Sequence, residues 1–126
     1  MHLILVRHCE AAPGEPDELR PLTDAGRAAA RALAGRLKER NPTAVHCSPL
    51  LRARETADAI ARASGLDAQV DERLAPGATV DAIRGLADQG GTVVAVGHQP
   101  DCSEIYAELT GEDRGFAPGD SAEVEL

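Results

Sequence analysis

The segment that most constrains the fold is the run H-L-I-L-V-R at residues 2–7, which is short, aliphatic and almost unbroken. A run of this kind reads as a strand buried on both faces, and such strands belong to parallel sheets covered by helices on each side. Residues 92–96, T-V-V-A-V, form the segment of highest β-propensity in the chain. Residues 44–47 and, more weakly, 68–70 read as further short strands. Residues 122–126, A-E-V-E-L, alternate and read as a half-exposed edge strand, expected to run antiparallel.

Helical segments fall between the strands. Thr23 is the expected N-cap of a helix over residues 24–40, with Ala25, Ala29, Leu33 and Leu37 at four-residue spacing and Asn41-Pro42 as the stop. Ser48 followed by Pro49 reads as an N-cap and first helical residue, opening a helix that runs to about Ser64 and ends at Gly65. Thr79 caps a third helix carrying Val80, Ile83, Leu86 and Ala87, closed by Gly90 and Gly91. Asp101 caps a short helix through Ile105 and Leu109 to Gly111. Strands alternating with helices predict a three-layer α/β/α sandwich around a mostly parallel sheet with an antiparallel edge strand. The length of 126 residues predicts a single domain over 1–126.

Composition narrows the function. Aromatic residues make up only 2% of the chain, against base-stacking platforms, and the net charge of −8 argues against tracking a nucleic-acid backbone. No run of 18 apolar residues points to a membrane span, and no leader sequence is evident at the N-terminus. Three widely spaced cysteines do not form a disulfide framework, so a cytoplasmic location is expected.

In sheets of this type, sites form outside the carboxyl ends of the strands. Three strands end here in reactive residues: Arg7-His8-Cys9, then Ser48-Pro49-Leu50-Leu51-Arg52, then Gly97-His98-Gln99-Pro100. If the three strands are neighbours, two His and two Arg converge. Two guanidiniums at one mouth imply an anion, most naturally a phosphoryl group, because the Arg fork matches its oxygens. Their field favours a neutral imidazole, available as a nucleophile. Each motif alone has a plainer reading, as a turn or a helix cap. All three at strand ends in one small chain do not.

These motifs resemble the histidine phosphatase, or phosphoglycerate-mutase-like, superfamily, and the resemblance covers nearly the whole chain. The segment Arg20-Pro21-Leu22-Thr23-Asp24-Ala25-Gly26, the stretch Leu74-Ala75-Pro76-Gly77 and the turn Gly97-His98-Gln99-Pro100 resemble its short SixA-like phosphohistidine phosphatase branch. The resemblance implies that His8 is the nucleophile and becomes transiently phosphorylated. It implies that Arg7 and Arg52 hold the phosphoryl oxygens and that His98 donates to them. It implies no cofactor and no metal, since the Arg pair and His98 supply the positive charge. The expected partner is a phosphorylated protein carrying phosphohistidine, with a small phosphoester as the alternative substrate. A phosphohistidine-binding module without catalysis is the non-enzymatic alternative, disfavoured because both His and both Arg are present.

Several other residues carry expectations. Cys9 stands where many relatives have Gly and reads as an inert small residue; the alternative is a thiolate whose pKa is lowered by two nearby Arg, open to redox modulation. No carboxylate stands in the stretch 74–76 where larger relatives place an acidic proton donor. Glu72 is close in sequence, but no general acid is assigned. Asp17, Glu18 and Asp24 read as a solvated loop. His8, Cys9, His46, Cys47, His98 and Cys102 lack metal-ligand spacing.

Overall fold

The computed structural model describes residues 1–86 and 90–126. Its strands are β1 (His2–Arg7), β2 (Ala44–Cys47), β3 (Ala68–Val70), β4 (Thr92–Gly97) and β5 (Ser121–Glu125). Its helices are α1 (Asp24–Lys38), α2 (Leu51–Ala63), α3 (Val80–Leu86) and α4 (Asp101–Thr110). Ala87, expected on the third helix, lies outside the described residues. The sheet has the order β3-β2-β4-β1-β5. β1, β2, β3 and β4 are parallel, and β5 pairs antiparallel with β1 at the edge. The expected three-layer architecture is therefore the observed one.

The period-two geometry of the strands separates the core into two faces. Leu3, Leu5, Val93 and Ala95 point to one side and pack with Ile83 and Leu86 of α3, Ile105 of α4, and Phe116. Ile4, Val6, Val94 and Val96 point to the other side and pack with Leu33 and Leu37 of α1 and Ala53, Ala57 and Ile60 of α2. Because β1 and β4 are buried on both faces, their sequences show no polar alternation. Among the described residues, no helix is long and apolar enough to cross a membrane.

Three local expectations are corrected. The buried face of α1 is Gly26, Ala30, Leu33, Ala34 and Leu37, while Ala25 and Ala29 face solvent. Gly26 is placed inward because its missing side chain lets α1 approach the loop after β1: a Cβ there would stand 2.1 Å from the Glu10 carbonyl oxygen. Thr23 does cap α1, its hydroxyl accepting from Gly26 N at 2.9 Å. α2 starts at Leu51, with Leu50 rather than Ser48 at its N-cap position. α4 starts at Asp101 itself, after Pro100, so Asp101 lies within its first turn and its carboxylate is turned elsewhere.

At the opposite edge, His2 Nε2 lies 2.6 Å from a Glu123 carboxylate oxygen, and His2 Nδ1 also pairs with Glu125. Arg40 Nε donates to Glu123 at 2.9 Å. These contacts tie β5 to β1 and to the end of α1.

Candidate active site

The sheet order makes β2, β4 and β1 consecutive neighbours. Their carboxyl ends therefore meet, and the three reactive motifs open on one cavity of about 310 Å³. Arg7, His8, Arg52 and His98 all line it. Asp17, Arg20, Pro76 and Gln99 complete its wall. A wider groove of about 500 Å³ runs between α1 and α2, with an alanine-rich floor and charged walls, but no His or Cys lines it.

His8 follows β1 directly. Its backbone N donates to Gly97 O at 3.0 Å, which locks the turn to β4. Its ring Nδ1 is 2.8 Å from the Cys9 carbonyl oxygen. A carbonyl only accepts, so Nδ1 carries the proton and Nε2 keeps its lone pair. The His8 and His98 rings stand 5.2 Å apart, centre to centre, tilted by 59°. Both are nearly inaccessible to solvent, at 8% and 4% exposure. Burial, then the Arg52, Arg7 and Arg20 charges, holds His8 below its ordinary value of 6.5, against the hydrogen bond to Cys9. Burial, then His8 and Arg52, pushes His98 down to about 4. Near neutral pH both imidazoles are uncharged.

Ser48, expected as a helix cap, has a second contact. Its hydroxyl does accept from Leu50 N at 3.2 Å, but it also lies 2.7 Å from His98 Nε2. It thus joins the end of β2 to the second histidine. This contact had no signal in the sequence beyond a serine at a strand end.

The two arginines are held differently. Arg7 Nη1 donates to the Phe116 carbonyl at 2.8 Å, and its Nε is buried with no partner among the described residues. Phe116 lies in the segment between α4 and β5. It is packed against Tyr106, with the Arg114 guanidinium 4.6 Å from its ring centre. Arg52 Nη1 donates to the Asp17 carbonyl at 2.9 Å, and Nη2 to the Asp17 carboxylate at 3.2 Å. Arg20 Nη1 donates to the same carboxylate at 3.0 Å. Asp17 is therefore not a merely solvated loop residue. Arg20, noted in the sequence as part of a motif, is a third guanidinium in the wall. The Arg20 and Arg52 hydrogen bonds hold the Asp17 carboxyl below the usual range. Glu18 and Asp24 are exposed, as expected.

Cys9 agrees with its inert reading and not with the redox alternative. Its side chain is fully buried, in a small cluster with Leu22 and Ala30, and burial pushes its thiol up rather than down. Its backbone N donates to Thr56 Oγ1 at 3.1 Å, and Thr56 donates in turn to Arg52 O at 2.9 Å. Cys9 is thus a packing residue linking the His8 turn to α2, and the physical basis for a reactive thiolate is absent. Glu72 lies exposed in a one-turn 3₁₀ helix, Glu72–Leu74, and does not line the cavity. Among the described residues, no group of three or more His, Cys, Asp or Glu side chains is placed to hold a metal ion.

Asp101 forms a second-layer contact. It is buried, and its carboxylate accepts from Gly77 N at 2.9 Å and Ala78 N at 3.2 Å. This fastens the segment after Pro76, a wall residue, to the helix that follows His98.

The chain superposes on the protein histidine phosphatase SixA complexed with tungstate with a TM-score of 0.89, at 30% identity, over 100% of this chain and 88% of that one. An uncharacterized protein of Picosynechococcus sp. is 36% identical over 115 residues, which is 82% of this chain and 70% of its own length. The mycobacterial glucosyl-3-phosphoglycerate phosphatase complexed with VO3 shares the fold, with a TM-score of 0.83 at 19% identity over 98% of this chain and 90% of that one. The family model for branch 1 of the histidine phosphatase superfamily matches residues 3–76, more than half of the chain. The chain belongs to the histidine phosphatase superfamily, with a SixA-like structure.

Proposed function

We propose that this single domain is a metal-independent phosphohistidine phosphatase that acts through a phosphorylated His8. The observation that carries the reading is the His8 ring itself. Its Nδ1 proton is committed to the Cys9 carbonyl, and it shares one small cavity with two guanidiniums. His8 Nε2 attacks the phosphorus while Arg7 and Arg52 hold the equatorial oxygens and His98 donates to the group as its charge spreads. Positioning and electrostatic stabilisation are most of what phosphoryl transfer requires. The N–P bond of the substrate breaks, and its electron pair stays with the departing imidazole. Water then attacks phosphorus on His8, the second N–P bond breaks, and inorganic phosphate leaves. Three guanidiniums in the wall supply the positive charge that a divalent ion supplies elsewhere.

The leaving group supports phosphohistidine over a sugar or serine ester. Among the described residues, the one carboxyl group that lines the cavity is Asp17, and Arg20 and Arg52 hold it ionised, so it is no proton donor. An alkoxide must be protonated as it leaves, a contribution of about 10²–10⁴ in rate. An imidazole protonated on its far nitrogen leaves neutral without help. The three cysteines are free and buried, in keeping with a cytoplasmic enzyme.

The test is a denaturing quench during turnover, which is expected to trap an acid-labile, base-stable phosphoryl group on His8. Full activity in His8→Ala, or loss of activity in EDTA restored by one metal, would refute the mechanism. Arg52→Ala is expected to lower kcat/KM about 10²-fold or more while folding normally. The rate order expected is phosphohistidine peptide, then p-nitrophenyl phosphate, then sugar phosphate. A sugar phosphate that equals the peptide would identify a small-molecule phosphomonoesterase instead.

A further inference from the structure

We infer that Asp17 recognises the leaving group: its carboxylate receives the ring N–H of a phosphorylated histidine, and so selects a cationic leaving group over a neutral or anionic one. This rests on the reading of His8 as the phosphoryl acceptor.

A carboxylate in the wall of an anion site calls for an explanation, since it opposes the attraction of Arg7, Arg20 and Arg52 for a phosphoryl group. Placing Arg52 does not by itself require it. Arg52 Nη1 is already held by the Asp17 backbone carbonyl at 2.9 Å, a contact any residue at this position could supply. The carboxylate is nonetheless firmly positioned. The one-turn 3₁₀ helix Asp17–Leu19 is closed beneath it by the bridge between Ala11 and Leu22, and Arg20 Nε donates to Ala12 O at 2.8 Å.

Its position suits a leaving group. His8 and His98 lie on the buried floor, whereas the Asp17 side chain is 61% exposed at the rim. In-line transfer places the leaving atom opposite the attacking His8 nitrogen, which is toward the mouth. Arg20 and Arg52 each occupy one carboxylate oxygen, and an ionised carboxylate has roughly four acceptor positions, so capacity for a further N–H is left. Its charge is also felt across the cavity at His98.

The step balances without a proton transfer to Asp17. The His8 Nε2 to phosphorus bond forms, and the substrate N–P bond breaks. The departing ring keeps its far-side proton and becomes neutral imidazole. The ring is most positive before transfer, so the contact acts chiefly on KM. A sugar ester offers no such N–H, and an ester with its own carboxylate is repelled.

The experiment compares kcat/KM for a phosphohistidine peptide and for p-nitrophenyl phosphate in the wild type and in Asp17→Asn. The peptide-to-ester ratio is expected to fall about tenfold or more, mainly through KM for the peptide, the size of a lost charge-assisted hydrogen bond. The side chain is exposed, so the variant is expected to keep its native circular dichroism. Equal losses on both substrates would mean that Asp17 only holds Arg52, and an unmoved ratio would likewise overturn the inference. A wild type that prefers the ester would instead refute the phosphohistidine reading, and that result is read before any variant is made.

Discussion

The hydroxyl of Ser48 lies 2.7 Å from Nε2 of His98, linking the ends of two neighbouring parallel strands across the floor of the cavity. The pair gives the second histidine a fixed ring orientation. Ser48→Ala is expected to lower kcat about tenfold, in line with one lost buried hydrogen bond, with KM changing less. In a His98→Ala background the same substitution should cost little further. Additive losses in this double-mutant cycle would separate Ser48 from His98.

On the proposed mechanism, activity should fall on the acid side below the ordinary histidine value, because His8 attacks as a neutral ring. Burial and the neighbouring arginines hold His8 below 6.5, so the midpoint of the acid limb of kcat/KM is expected below 6.5. Titration of the His8 ring by NMR checks this directly. Arg52→Ala should move the midpoint upward, since it removes a cation that opposes protonation.

Folding stability should depend on pH through two other histidines, His98 and His2. The unfolded chain binds protons at His98 near 6.5, whereas the folded chain does so only at about 4. The stability linked to His98 is therefore present above 6.5 and is lost as pH falls from there to about 4. His2 works in the other direction. Glu123 holds its pKa above 6.5, so its contribution is complete below 6.5 and is lost as pH rises through the raised value. Urea unfolding across this range should show the acid-side loss flattened in His98→Gln and the alkaline-side loss flattened in His2→Gln.

Asp101→Ala removes the acceptor of two backbone N–H groups, Gly77 and Ala78, beneath a wall of the cavity. Gly77 is exposed and Ala78 half-buried, so water can take over part of the lost bonding, and a destabilisation of about 1 kcal/mol is expected by urea unfolding. Loosening of the Pro76 segment should raise KM more than it lowers kcat. Asp101→Asn keeps one acceptor oxygen and should recover part of both.

The thiols should be silent in the native protein. Cys9, Cys47 and Cys102 are all buried, and burial raises each, Cys47 to about 11 and Cys102 to about 12. A thiol-specific chromogenic reagent is expected to label none in the folded state and all three in denaturant. Rapid native labelling of Cys9, protected by phosphate, would restore the redox reading.

The layered fold and the three reactive strand ends were legible because both are local. An aliphatic run without alternation reports burial on two faces; Arg7-His8 and Gly97-His98 end such runs, and Ser48 to Arg52 follows the short segment A-V-H-C directly. Helix existence was legible for the same reason, but not always its buried face. In a helix rich in alanine, four-residue spacing beginning at Ala25 or at Gly26 satisfies the same periodicity. The close approach of α1 to Glu10 chose Gly26. Strand order, β3-β2-β4-β1-β5, was a tertiary outcome, and it alone brings the three motifs together. So were the Asp17 contacts to Arg52, 35 positions away, the Ser48 contact to His98, 50 away, and the Asp101 contact to Gly77, 24 away. A serine before a proline or an aspartate at a helix start has the same local chemistry whether it caps a helix or reaches across a cavity. Sequence determined which residues could carry charge and protons; packing of the sheet decided which of them face one another, because hydrogen bonds select partners by distance in space and not along the chain.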